Sequence, residues 1–558
     1  MKKQFLVLAA LAAVSTQSFA QQPDVKGWHL KDKQTDNLNG ISVQKAYEFL
    51  KGKTAIPVIV AVIDSGIDTA HEDLKPILWR NKKEIAGNGK DDDKNGYVDD
   101  VFGWNFLGKA DGTNLKKCTA EQTRVYHAHK AKYEGKTIDT TKLTASQKRE
   151  YADWKRAEAN IVPSTETASE VPMIEQLYKN LSRVDSVIQA SWGKKTYTVD
   201  ELNAFNPTDA TAQKAKKAYS QMMTMMQQEG TTSNTSFIPE LGDYLQSKKD
   251  ALIAKDSVPV NYRALYVGDD YNDFKKPYGN NDIMGPGAMH GTHVSGIIAA
   301  VRNNGLGMDG VADNVRIMTI RAVPDGDEYD KDIAKAIRYA VDNGAKVINM
   351  SFGKSFSPEK QLVDDAVAYA ASKDVLIIHA AGNDGKNLDE DYNFPNPNFL
   401  NGKKAVNFIT VGASSDETVT PGNKVADFSN YGKTQVDVFA PGTKIYSTLP
   451  GGNTYGNQQG TSMASPVVAG IAALVRSYYP KLSAVQVKEA ILASCAPSAK
   501  EEAALQVNLP GSNPAEKVQA PLSTLSVTGG YVNAYEAVKY ASTQKVATTA
   551  PKTPTKKK

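Results

Sequence analysis

The sequence predicts an α/β protein: a mostly parallel central sheet flanked by helices, interrupted by an α-helical insertion. Three observations predict it. Apolar runs without polar alternation recur along the chain, as strands buried on both faces require. Helical patterns separate the later runs, the order that builds a parallel sheet. A polar block over residues 113–262 carries helix signals but no strand run.

The chain opens with Lys2 and Lys3, an apolar segment from Phe5 to Val14, and small residues at Ser18 and Ala20. This pattern reads as a secretory signal peptide over residues 1–20, cut after Ala20. The apolar segment is too short to span a bilayer, no later stretch is long enough either, and no cysteine follows the cut to carry a lipid. The mature protein is therefore expected to be exported, periplasmic or extracellular, with no membrane span. The net charge of +4 is accounted for by Lys2, Lys3 and the tail lysines Lys552, Lys556, Lys557 and Lys558. No broad basic surface remains, so no nucleic-acid partner is expected. Oligomeric state is not legible.

The first buried strand is Pro57 to Ile63, ending at Asp64-Ser65-Gly66. Further runs are Arg316–Ile320, Lys346–Met350, Val375–Ala381 and Phe408–Ala413, with helical patterns over Ile333–Asn343 and Glu359–Lys373 between them. Functional residues in such sheets gather past the carboxyl ends of strands, where Asp64, Ser351 and Asn383 fall. The expected organisation is an α/β unit in two parts, 21–112 and 263–542, an insertion over 113–262, and a disordered Thr/Pro/Lys tail over 543–558.

Within the insertion, Thr144 and Gln147 form a capping box, and Ile174, Leu177, Leu181, Val184 and Ile188 form one apolar helix face. A third helix, Ala210 to Glu229, contains Met222, Met223, Met225 and Met226. These read either as an adaptable peptide-contacting surface or as ordinary packing. The two cysteines, Cys118 and Cys495, read either as a disulfide or as free buried thiols.

Three polar sites carry chemistry. Asp64 follows the first strand. His290 and His293 lie in Met289-His290-Gly291-Thr292-His293-Val294, a turn leading into a buried helix. The pair could bind a metal, but the His-Glu-x-x-His pattern of a metallohydrolase helix is missing. Ser462 lies in Gly460-Thr461-Ser462-Met463-Ala464-Ser465-Pro466, at the start of an apolar helix. Alone it reads as a helix cap. With a histidine to accept its proton and an aspartate to orient that histidine, it reads as a nucleophile. The chain order Asp, His, Ser is one of three recurring triad orders.

These blocks resemble the subtilases, the subtilisin-like serine peptidases. The match is carried by Ala61-Val62-Ile63-Asp64-Ser65-Gly66, His290-Gly291-Thr292-His293-Val294, Ala380-Ala381-Gly382-Asn383 and the serine block. The resemblance covers residues 24–112 and 263–541. It implies a subtilisin-like fold and a serine endopeptidase acting on peptides or proteins, with no cofactor required for the chemistry. It also implies roles: Ser462 nucleophile, His290 base, Asp64 orienter and Asn383 oxyanion donor, with His293 structural. Ser351, Phe352 and Gly353 would pair with extended substrate and, with Ala381 and Gly382, wall the primary specificity pocket. The family often favours large apolar substrate side chains there, a preference that Lys354 and the long loop from Asn383 to Asn401 call into question for this chain. A rival reading is a catalytically silent binding or scaffold protein on the same fold, although the intact four-residue set argues against it.

The chain departs from the family pattern in two places. The insertion separates Asp64 from His290, whose spacing in the family is a few dozen residues. It either borders the substrate cleft or forms a peripheral subdomain. The acidic segment Asp91-Asp92-Asp93-Lys94-Asn95-Gly96, with Asp99 following, copies the front of a calcium loop. It lacks the glutamate that closes such a loop, since Phe102 stands there. Asp91, Asp93, Asn95 and Asp99 are therefore either ligands of a structural calcium or a solvated acidic turn.

Overall fold

The structure, a computed structural model, describes residues 26–163, 165–227, 233–420, 422–502, 505–512 and 518–545. The expected signal peptide and most of the expected tail lie outside the described residues.

Seven strands form one parallel sheet: β1 (Val58–Asp64), β2 (Gly103–Asn105), β3 (Val315–Arg321), β4 (Val347–Met350), β5 (Leu376–Ala380), β6 (Phe408–Ser414) and β7 (Val438–Pro441), in the order β2-β3-β1-β4-β5-β6-β7. β1 is the hinge of this order. It pairs with β3 on one side and β4 on the other, both parallel, so the winding reverses beside it. A crevice opens at such a switch point, past the carboxyl ends of the strands. Asp64 ends β1 and Ser351 follows β4, so the two flank that crevice.

β1 and β3 to β6 match the apolar runs because both their faces are covered. On one face lie the helix Met289–Ala299, the long helix Thr461–Tyr478 and the helices Val43–Leu50, Ala484–Ser494 and Ala534–Thr543. On the other lie Asp330–Asp342 and Lys360–Ser372. The serine-bearing helix is buried almost along its length, from Met463 to Ser477. Its apolar sequence leaves it no stable place except between the sheet and its neighbours.

β2 and β7 are additions to the sequence reading. Each is a short edge strand, of 3 and 4 residues. Gly103 has φ 137°, and the Thr319 carbonyl occupies the place of any side chain there, so this edge joins the sheet through close backbone approach rather than an apolar run.

Within residues 113–266 the described α-helices are Glu121–Tyr133, Ala145–Asn160, Thr165–Trp192, Val199–Ala204, Ala210–Gln227, Asn234–Ile253 and Tyr262–Tyr266. The Thr144/Gln147 capping box is present. Ile174, Leu181 and Ile188 are buried in a separate core, with Leu177 and Val184 packed against it. Met223 belongs to that core and Met222 packs on it, so these two methionines are packing residues. The side chains of Met225 and Met226 lie outside the described residues.

This helical region is tied to the sheet by buried charge. Lys354 Nζ meets Glu121 Oε2 at 2.7 Å, Asp330 Oδ1 at 2.9 Å and the Glu328 carbonyl at 2.8 Å. Arg124 also bonds Glu121, at 2.6 Å. Burial opposes the ionisation of Glu121, but the charges of Lys354 and Arg124 outweigh it and hold its carboxyl well below the usual range. Lys354 is thus held in this buried ion cluster. Lys354→Ala should destabilise the chain by about 3–5 kcal/mol, the usual cost of leaving buried charges unpaired, read as a fall in Tm.

Both cysteines are free and buried. The Cys118 thiol donates to the Asp327 carbonyl at 2.7 Å, and burial pushes both thiols up to about 12.

Candidate active site

Asp64 stands at the carboxyl end of β1, 1% exposed. Its Oδ1 accepts the Ser65 N–H at 2.7 Å and lies 2.7 Å from His290 Nδ1. That contact fixes the imidazole: Nδ1 carries the proton toward the carboxylate and Nε2 is left as acceptor. His290 is the second residue of its helix, whose next residue, Gly291, packs directly on the Gly66 carbonyl and the Asp64 side chain. A side chain at Gly291 would push the histidine helix off Asp64.

Burial opposes protonation of His290, but the charge of Asp64 and the bond to it outweigh burial, so its pKa lies above the ordinary 6.5. The sign follows from linkage. Stability from the charged pair is fully present below the unfolded pKa and is lost as pH rises through the raised folded one. Catalysis that needs a neutral imidazole runs the opposite way. The acid limb of kcat/KM should therefore have its midpoint above 6.5, and Asp64→Asn should move it down; a pH profile of both proteins checks this.

His293 is fully buried, its Nε2 lies 3.1 Å from the Gly456 carbonyl, and burial lowers its pKa to about 3. It and His290 belong to no metal-ligating cluster among the described residues.

Ser462 is the second residue of the helix Thr461–Tyr478, which packs against the histidine helix. Its hydroxyl donates to the Ser351 carbonyl at 3.0 Å rather than to His290. Ser351 Oγ returns a bond to the Ser462 carbonyl at 2.9 Å. Behind them, Asn349 bonds Ser351 Oγ and Ser465 Oγ, each at 2.9 Å. The turn holding Ser462 is thereby anchored to β4.

Asn383 follows β5. Its side-chain oxygen accepts from Thr461 N at 2.8 Å and Thr461 Oγ1 at 2.9 Å. A backbone N–H only donates, so the atom facing Thr461 is the oxygen and the amide NH2 points the other way. Thr461 Oγ1 in turn accepts the Gly382 N–H at 3.0 Å. Gly460, at φ 149°, marks where the free donors converge: a methyl there would lie 3.3 Å from Asn383 Nδ2 and 3.5 Å from Ser462 N. Ser462 N–H is a first-turn donor with no intrahelical partner, at the positive end of the helix dipole. Two such donors beside a hydroxyl suit a developing oxyanion.

Of the expected pocket residues, Ser351 and Gly353 follow β4, and Ala381 and Gly382 follow its sheet neighbour β5. Phe352 is 9% exposed with its ring packed against His379 in the core. The sequence reading missed Asn393. Its Nδ2 donates to the carbonyls of Ala380 at 3.0 Å and Ala381 at 2.9 Å, and its side chain fills the space in front of Gly353. It therefore links the segment after β5 to the one after β4. Beyond it, Lys354 and Phe394 exchange backbone bonds of 3.1 and 2.8 Å, which closes the edge after Gly353.

Of the four acidic-loop residues, Asp99 turns away while Asn95 stays bonded through its backbone N–H to Asp91 and Asp93. Asp99 accepts the N–H groups of Gly87, Asn88 and Gly89. Asn95 caps Tyr97 N–H and bonds Asp100. Asp91 and Asp93 remain together and are joined by Glu84, which the motif spacing did not include.

The parallel sheet between its two helical layers defines a subtilisin-like α/β fold. Residues 56–508 match the Subtilase family, and the chain belongs to it. It is similar to the thermophilic serine proteinase of Bacillus sp. (strain AK1), 44% identical over 34% of this chain and 42% of that protein. It is also similar to subtilisin BL of Lederbergia lenta, 39% identical over 36% of this chain and 68% of that protein. Subtilisin DY of Bacillus licheniformis is 41% identical over 36% of this chain and 68% of that protein. The chain thus spans under half of the first relative's length and about two thirds of the other two.

Proposed function

We propose that this chain is an exported serine endopeptidase that cleaves peptide bonds through an acyl-enzyme. The observation that carries the reading is the convergence of the Asp64–His290 pair, the Ser462 hydroxyl and two free donors at one switch point. In this reading a χ1 turn moves the Ser462 hydroxyl from the Ser351 carbonyl to His290 Nε2. Ser462 Oγ attacks the substrate carbonyl while Nε2 takes its proton. Asn383 Nδ2 and Ser462 N hold the oxyanion. The C–N bond then breaks, His290 returns the proton to the leaving amine, and water repeats the sequence to release the acid. Ser351 and Gly353 pair with extended substrate backbone.

The organisation proposed is a leader over 1–20, a catalytic domain in two parts (21–112 and 263–542), an insertion over 113–262 and a tail over 543–558. Among the described residues no helix is long and apolar enough to cross a membrane. The insertion is read as a wall of the substrate cleft. In support, its residues Glu150 and Asp153 line a cavity of about 780 Å³ together with His379, Tyr392 and Asn393, and Asn393 links the segments after β4 and β5. The purified chain should cleave both a short peptide and a folded protein. Shortening the insertion should raise the rate on the folded protein and leave the peptide rate unchanged. Absence of cleavage would overturn the peptidase reading, and equal changes on both substrates would remove the gating role.

A further inference from the structure

The insertion is fastened to the α/β body at both its ends, and the two fastenings differ in charge balance. At the exit, Arg263 bonds Asp332 at 2.6 and 2.9 Å and Asp269 at 2.9 Å, and Lys331 bonds Asp269 at 2.6 Å. Two cations meet two carboxylates there. At the entry the cations are Lys354 and Arg124, and five carboxylates stand around them. Glu121 comes from the insertion, Asp327, Glu328 and Asp330 from the loop after β3, and Glu359 from the segment after β4. Backbone bonds hold the entry as well: Cys118 N–H donates to the Asp325 carbonyl and Asp325 N–H to the Lys116 carbonyl, each at 2.8 Å.

Four of the five entry carboxylates accept bonds. Glu121 is gripped by Lys354 and Arg124. Asp327 accepts the Glu121 N–H at 2.7 Å. Asp330 accepts from Ser357 Oγ at 3.0 Å and Glu359 N at 2.9 Å, and Glu359 accepts the Tyr271 hydroxyl at 3.0 Å. Glu328 differs. It is 2% exposed, and its Oε1 is buried and meets no donor. Lys354 and Arg124 bond its main-chain carbonyl instead, at 2.8 and 3.2 Å. Such a carboxyl is costly to bury as an anion and far less so as a neutral acid. Burial, opposed by the charge of Lys354 and helped by that of Asp327, pushes it up to about 8. Burial raises Asp327 and Glu359 too. It also raises Cys118, Tyr271 and Tyr329, which stay neutral beside them.

We propose that the entry fastening is a pH-sensitive clamp on the insertion, which holds while Glu328 keeps its proton and loosens when Glu328 ionises. Ionisation adds a charge to a cluster already short of cations, where like charges repel strongly. Linkage gives the sign. A carboxyl raised from 4.5 to about 8 contributes stability that is fully present below 4.5 and is lost as pH rises to 8. The exit keeps its grip over the same range, because Arg263 and Lys331 hold Asp269 below its ordinary value against the effect of burial. The part that loosens is the helix Glu121–Tyr133, which shares a small core with Trp154 of the helix Ala145–Asn160 and with Phe356. Glu150 and Asp153 of that second helix line the cavity beside Asn393. On the peptidase reading, on which this last step rests, the clamp sets how closely the insertion stands over the cleft.

Hydrogen exchange on the full chain tests the clamp independently of activity, in a Ser462→Ala background that prevents self-digestion. After correction for intrinsic exchange, amides of Glu121–Tyr133 should lose about tenfold or more in protection between about pH 6 and pH 9, and those of residues 263–269 should change by less than about threefold. Glu328→Gln has no proton to lose, so its entry should be as protected at the higher pH as at the lower. In active protein, the rate on a folded protein relative to that on a short peptide should rise over the same range, and stay flat in Glu328→Gln. The clamp is overturned if entry protection does not fall, if the exit falls equally, or if Glu328→Gln keeps the parent's pH dependence. The entry-to-exit comparison in the parent decides alone if Glu328→Gln does not fold. A pH-dependent entry with a flat rate ratio overturns the link to the cleft. Cleavage of neither substrate overturns the peptidase reading, and the exchange result is untouched by it.

Discussion

Ser462→Ala should lower kcat by roughly a millionfold, and adding His290→Ala should cost almost nothing further. That magnitude was measured in a subtilisin, a member of the same family. The lack of additivity carries the argument. In the proposed mechanism Oγ attacks only as His290 takes its proton, so each residue would be useless without the other. Two residues acting independently would multiply their losses. The experiment compares kcat for the two single variants and the double on one peptide substrate. The residual rate of all three should still exceed the uncatalysed one, because Asn383 Nδ2 and Ser462 N remain in place.

The second large effect falls on Asn383. Asn383→Ala should lower kcat about 10²–10³-fold, about 2.7–4 kcal/mol of barrier, with KM nearly unchanged. A donor that meets the oxygen only once it becomes an oxyanion contributes to the transition state and little to substrate binding. The structure adds a handle particular to this site. Thr461 grips the Asn383 oxygen through both its N–H and its hydroxyl. Thr461→Val keeps the N–H and loses the hydroxyl, so it should reproduce the same kcat-only signature at smaller size, about tenfold. A KM effect as large as the kcat effect would mean that Asn383 binds substrate in its ground state.

Much of this was legible before the structure. β1 and β3 to β6 announced themselves because a strand covered on both faces has no reason to alternate. β2 did not, because Gly103-Trp104-Asn105 joins the sheet through a glycine pressed against the Thr319 carbonyl, which leaves no hydrophobic run to read. The proposed site residues Asp64, His290, Asn383 and Ser462 could be picked out as candidates because each sits in a short block of chemistry-bearing type. The residues that shape the site around them were not. Asn393 matters through bonds to Ala380 and Ala381, and Thr461 through bonds to Asn383, contacts that spacing along the chain does not encode. The acidic loop shows the same limit. Its motif pointed to Asp99, whereas the left-handed turn at Asp99 (φ 54°) sends that carboxylate to the Gly87–Gly89 amides and leaves Glu84 beside Asp91 and Asp93.

The central claim is that Ser462 is a nucleophile activated by His290. A fluorophosphonate probe tests it most directly, because it reacts with an activated serine and leaves a covalent adduct that peptide mapping locates. The account predicts one adduct, on Ser462, in the folded wild-type chain, and none in His290→Ala or in heat-unfolded protein. A folded wild-type chain that takes up no probe, or takes it up equally without His290, would contradict it.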